Sequence, residues 1–61
     1  MEYEFEIITY DKSLTETRTK VNLPNVQALD LYCRQKFGRE HNLVLLRAFD
    51  MFDYVICQYS R

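Results

Sequence analysis

Glu2-Tyr3-Glu4-Phe5-Glu6-Ile7 alternates charged and apolar side chains with a strict period of two. A strand with one dry face and one wet face repeats on that period, so the chain opens as a half-buried β-strand. The alternation returns downstream, where Thr15, Thr17, Thr19, Val21 and Leu23 are set against Glu16, Arg18, Lys20 and Asn22. Asp11, Lys12 and Ser13 make a short polar link between the two runs, which together read as an antiparallel hairpin. Register follows from the faces. For Tyr3, Phe5 and Ile7 to lie on the side of Thr19, Val21 and Leu23, odd residues must pair with odd ones. The loop then holds an odd number of residues, and the absence of glycine argues against a two-residue primed turn, leaving three or five. The outer face sets Glu4 and Glu6 beside Arg18 and Lys20, exposed pairs worth about a few tenths of a kcal/mol each.

Beyond this hairpin the period changes. Pro24 and Asn25 end the strand, and Asn25 is a good helix N-cap. Val26, Leu29, Cys33 and Phe37 fall at helical spacing on one face, flanked by Ala28 and Tyr32. Asp30 comes early while Arg34 and Lys36 come late, as the helix dipole favours. Gly38 is the natural stop.

The rest is less polar. Leu43-Val44-Leu45-Leu46-Arg47-Ala48-Phe49 and Tyr54-Val55-Ile56-Cys57-Gln58-Tyr59 are joined by a tight Asp50-Met51-Phe52-Asp53 connection and read as a second hairpin. With a four-residue loop, Val44, Leu46 and Ala48 share the helix-facing side with Val55, Cys57 and Tyr59. Leu43, Leu45, Phe49, Tyr54 and Ile56 take the opposite side, interrupted by Arg47 and Gln58. The expected fold is therefore α+β, in the order ββαββ. A mostly antiparallel four-stranded sheet carries one helix on one face, and residues 1–61 form a single small protein-binding domain. Its core is expected to contain Phe5, Ile7, Val21, Leu29, Cys33, Phe37, Leu46, Val55 and Cys57.

Composition limits what such a domain can do. A chain of 61 residues buries only about 60% of the surface its unfolded form exposes, so it is marginally stable alone. Small domains commonly compensate with disulfides, a metal or a partner. Two cysteines and one histidine are too few and too scattered for a structural zinc site, so no metal and no cofactor is expected. Cys33 and Cys57 could pair, but they read better as buried thiols in a reducing compartment. A net charge of −1 supplies no bulk attraction to nucleic acid or to an anionic membrane. No apolar h-region and no membrane-spanning run is present, which reads as a cytoplasmic protein.

Each candidate site also has a plainer role. On the first hairpin, Glu2, Glu4 and Glu6 could mimic phosphates, although a solvated face paired with Arg18 and Lys20 accounts for them more simply. Arg34, Lys36, Arg39, His41 and Arg47 could form a basic patch, but no RNP-type aromatic signature or GxxG loop accompanies them. His41 has no cysteine or serine beside it, while Asp50 and Asp53 look like turn residues, so no enzyme is expected. The second hairpin's outer face is apolar, and no remaining segment can cover it. Asn42, Leu45, Arg47, Phe49, Tyr54 and Ile56 are the expected partner-binding residues, and a contiguous apolar patch of this kind usually marks an interface.

The segment Asn42-Leu43-Val44-Leu45-Leu46-Arg47-Ala48-Phe49-Asp50, followed by Val55, Cys57 and Arg61, resembles the end of the Dmd antitoxins of T-even-like bacteriophages. Val26-Gln27 resembles the pair that opens their helix, although Ala28 stands where that family carries a bulky aromatic. The similarity extends over the second half of the chain in its residues and over the first hairpin in its pattern. It implies an inhibitor that binds a bacterial endoribonuclease toxin of the RnlA or LsoA type in the host bacterial cytosol. Asn42 and Arg47 match interface-type positions, and neither direct nucleic-acid nor membrane binding is implied. Free, the chain would be a monomer or weak dimer. The alternatives are a homodimeric adaptor that uses the same face on itself and, less favoured by the residues, a small RNA-binding regulator.

Overall fold

The computed structural model describes residues 1–60. Strands β1 (Tyr3–Asp11) and β2 (Glu16–Leu23) precede helix α1 (Val26–Phe37), and β3 (Leu43–Phe49) and β4 (Val55–Ser60) follow it. The strands form one antiparallel sheet in the order β2-β1-β3-β4, with α1 on one face. Because β1 lies antiparallel to both β2 and β3, the helix serves as the crossover between two parallel strands with β1 between them. Among the described residues, no helix is long and apolar enough to cross a membrane.

The first hairpin has the expected register: Tyr3 faces Leu23, Phe5 faces Val21 and Ile7 faces Thr19. Its loop is the three-residue form. Leu14 N–H donates to the Asp11 carbonyl at 2.9 Å, and Asp11 N–H to the Thr15 carbonyl at 3.3 Å. The Asp11 carboxylate accepts from Ser13 and Thr15 N–H at 2.9 and 3.0 Å. The second hairpin repeats this design. Asp50 Oδ1 accepts from Phe52 and Tyr54 N–H at 2.9 and 3.0 Å, and Asp50 N–H donates to the Tyr54 carbonyl. Its loop is thus three residues long, not the expected four.

Both loops close through a residue of positive φ, Leu14 at 61° and Asp53 at 65°. Glycine usually holds this place, and aspartate tolerates it, but the Leu14 Cβ crowds the backbone there. Leu14 is exposed, so its side chain gives back little packing. Leu14→Gly is expected to stabilise the domain by about 0.5–1 kcal/mol, the relieved strain exceeding the added flexibility of the unfolded chain. A thermal midpoint several degrees higher checks this, and an unchanged or lower one contradicts it.

The Asn25 carboxamide accepts from Ala28 N–H at 2.7 Å, the geometry of an N-cap. At the other end Gly38 N–H donates to the Arg34 carbonyl at 3.0 Å. Gly38 has ordinary right-handed torsions, φ −62° and ψ −24°, so left-handed freedom is not the reason for glycine here. A Cβ would run into the Arg34 carbonyl oxygen.

Phe5, Ile7, Leu29, Cys33, Leu43, Leu46 and Ala48 form the buried core. Val21, Phe37 and Cys57 were expected there and pack against it half-buried. Val55 does not belong to it: the residue is 51% exposed. The reason is a register shift between Ala48 and Phe49. Ala48 faces Cys57 while Phe49 faces Val55, so Ile56 is an extra residue on β4 and the side-chain alternation slips by one. Ile56 consequently packs against the core cluster, correcting the expectation that it lies uncovered on the outer face. A second shift on β3 opposite Tyr10 and Asp11 turns Leu43 inward, where the uninterrupted pattern had placed it outside.

Helix and edge strand are also linked by polar groups. Tyr59 Oη donates to Asp30 Oδ1 at 2.5 Å, and Arg34 Nε donates to Asp30 Oδ2 at 3.0 Å. The hydrogen bond to Asp30, with burial behind it, pushes the Tyr59 phenol up to about 12. A tyrosine titrating near 10 in the unfolded chain and near 12 in the folded one stabilises the fold fully below pH 10. That contribution is lost as pH rises from 10 to 12. Solvent screening reduces it to about 1 kcal/mol. Cys33, pushed from 9 up to about 11 by burial, contributes between pH 9 and 11 and overlaps this window, so the comparison is with Tyr59→Phe. The substitution should lower stability at pH 7 and flatten the decline between pH 10 and 12. Parallel melting curves for the two proteins across that range would contradict the linkage.

Candidate protein-binding face

The sheet face opposite α1 is built from the alternate residues of four strands, and the pairing fixes its rows. Arg18, Ile8, Arg47 and Gln58 lie side by side across β2, β1, β3 and β4. Glu16, Tyr10, Leu45 and Ser60 form the next row, and Lys20, Glu6, Phe49 and Val55 the row on its other side. Ile8, Tyr10, Leu45 and Phe49 thus occupy the two central strands, each half-buried. The helix packs on the other face, where Leu29 and Cys33 join the core cluster.

Charges at the β2 side of the patch are tied to one another. Tyr10 Oη donates to Glu16 Oε1 at 2.7 Å, Arg18 Nε to Glu16 Oε2 at 3.2 Å, and Arg18 also stands 3.6 Å from Glu6. The Tyr10 bond raises the phenol's pKa and, with Arg18, lowers that of Glu16. Glu16 and Arg18 are exposed and Tyr10 is only half-buried, so the network's effect is to hold rotamers more than to add stability. Arg47 differs. Its side chain is exposed at the centre of the face, and no carboxylate among the described residues is within ion-pair distance of it.

The expected partner-binding residues divide accordingly. Leu45, Arg47 and Phe49 share the face, Arg47 between the other two along β3. Tyr54 is exposed, at the end of the β3–β4 loop. Asn42 is exposed immediately before β3, its carbonyl accepting from Lys12 N–H at 2.8 Å. Ile56 is drawn toward the core, as described. Ile8 and Tyr10 were missed, although they follow Glu4 and Glu6 in parity on β1. The adjacent isoleucines at 7 and 8 obscured the continuing alternation.

A second apolar feature lies at one end of the domain. Tyr3, Phe5, Val26, Met51, Phe52 and Ile56 line an open groove of about 690 Å³ between the start of α1 and the β3–β4 loop. The supposed basic patch does not assemble. Arg34 is engaged by Asp30, and Lys36 lies 5.5 Å from the Tyr32 ring centre and 5.9 Å from that of Phe37, all on the helix. Arg47 projects from the opposite side of the sheet. No cluster of three His, Cys, Asp or Glu side chains that could hold a metal occurs among the described residues. Both cysteines are free, Cys33 buried and Cys57 half-buried. No protein-family model matches the chain, and no curated protein or solved structure is significantly similar to it.

Proposed function

We propose that this chain is a phage-type antitoxin, a non-catalytic inhibitor that binds a bacterial endoribonuclease toxin of the RnlA or LsoA type in the host cytoplasm. The observation that carries the reading is the row structure of the sheet face opposite the helix. Ile8, Tyr10, Leu45 and Phe49 surround Arg47 on the two central strands, Glu6 lies on β1 beside Phe49, and Arg18, Lys20 and Glu16 line β2. Apolar and aromatic side chains around an arginine, with a polar rim, are the usual anatomy of a protein interface. The resemblance of residues 42–50 to the Dmd antitoxins supplies the class of partner, and β3, which those residues open and fill, is a central strand of the face.

Inhibition would be by occupation. The domain measures 36 × 21 × 14 Å between Cα extremes, a thin slab able to lie in the groove that receives RNA. A purified toxin of this class, cleaving a defined messenger RNA, provides the test. One equivalent of the chain should abolish cleavage, and raising the RNA concentration should restore it. Cleavage that continues undiminished at a tenfold excess of the chain would refute the reading.

A further inference from the structure

We infer that Arg47 is a receptor for a carboxylate of a protein partner, so that the occupant of the outer face presents an Asp or Glu within an apolar surface. The inference rests on the proposed use of this face for binding and goes further in naming the chemistry of the contact. Arg18, the neighbouring cation two strands away in the same row, already serves Glu6 and Glu16. Arg47 stands between Ile8 and Gln58 across the sheet and between Leu45 and Phe49 along its strand, with no such carboxylate among the described residues. Closing an apolar partner over this row would strip water from the guanidinium, and a desolvated charge demands an opposite one. Arginine meets a carboxylate with two parallel N–H···O bonds, which fixes direction as well as charge.

RNA phosphate is the competing anion, and the face argues against it. Glu6 lies beside Phe49, and Glu16 beyond Tyr10 is hydrogen-bonded to its hydroxyl. A carboxylate therefore stands next to each of the two aromatic rings on the central strands. A strand of RNA needs cations there. A single protein carboxylate needs only Arg47.

Selection of a displayed library of random twelve-residue peptides on the wild-type chain, with Arg47→Gln as the counter-selecting protein, tests this without any toxin. The peptides retained by wild type and lost on Arg47→Gln should carry Asp or Glu between apolar residues. Changing that residue to Asn or Gln in a synthetic peptide should weaken binding about tenfold to wild type and leave binding to Arg47→Gln unchanged, the coupling expected of a direct pair. A labelled oligouridine decamer serves as the RNA probe and should bind more weakly than the selected peptides. Peptides without an acidic residue, failure to select any, or tighter binding of the decamer would each overturn the inference. Because no nuclease enters the experiment, success here together with failure of the cleavage assay would leave the carboxylate receptor standing and reject the toxin as its partner.

Discussion

Leu29→Ala is expected to destabilise the domain by about 2–5 kcal/mol, the range for removing a fully buried leucine side chain. Leu29 is 0% exposed and belongs to the cluster that includes Phe5, Ile7, Cys33, Leu46 and Ala48. Leu29 and Cys33 are the two residues of α1 that are buried in the core. Truncating Leu29 removes its transfer free energy and leaves a space that short strands and a single helix close only in part. For a domain of 61 residues the total stability is roughly 3–9 kcal/mol on a per-residue basis, so the loss is comparable to the whole. Urea denaturation should show a sharply lower midpoint or a population already unfolded in water. Val26→Ala serves as the contrast, because Val26 is 47% exposed and its truncation should cost under about 1 kcal/mol. An unchanged melting curve for Leu29→Ala would refute the assignment of the core.

On the outer face the expected losses are in binding while the fold survives. Phe49→Ala should weaken binding to the proposed toxin partner by about 2 kcal/mol or more, roughly thirtyfold, because aromatic and arginine anchors carry most of the energy in such patches. Arg47→Glu should be as damaging, since it opposes the charge the face presents. Neither substitution should disturb the core: Arg47 is exposed, and Phe49 points away from α1. Pull-down from host lysate with wild type and with a folded Arg47→Glu chain separates the outcomes. The wild type should recover an endoribonuclease that the variant leaves behind. Equal recovery would contradict the proposed surface, and recovery of no nuclease by the wild type would count against the antitoxin reading.

Much of this architecture was legible in the residues. The period of two in residues 2–7 and 15–23 required odd-with-odd pairing, and the hairpin has it, because a slip of one would put Phe5 and Ile7 in water. Asn25 before an apolar helical stripe marked the start of α1 by a local hydrogen bond, which sequence can specify alone. The errors arose where one residue is inserted into a ladder. Nothing local distinguishes Val55-Ile56 in a regular strand from the same pair at a bulge, yet the bulge moved Val55 out of the core and Ile56 toward it. Leu43 was misplaced by the corresponding irregularity on β3.

Strand order was the other gap. Whether β1 or β2 lies beside β3 is decided by long-range pairing, and alternation within a strand carries no such information. That choice brings Ile8 and Tyr10 against Arg47 and Leu45 and so composes the patch. The loop conformations were also out of reach, because leucine at 14 gives no sign of a positive φ. The aspartates at 11 and 50 were visible only as turn residues, and their shared role emerged from the matching hydrogen bonds.

The sheet face opposite the helix is proposed as the surface that meets the toxin. Chemical-shift mapping of the isotope-labelled chain, saturated with a catalytically inactive toxin of the RnlA or LsoA type, tests it most directly. The largest changes should fall on Ile8, Tyr10, Leu45, Arg47 and Phe49, while the exposed helix residues Leu31 and Gln35 keep their free-state positions. Changes confined to Leu31, Gln35 and their neighbours on α1, with the β1–β3 rows undisturbed, would contradict the account.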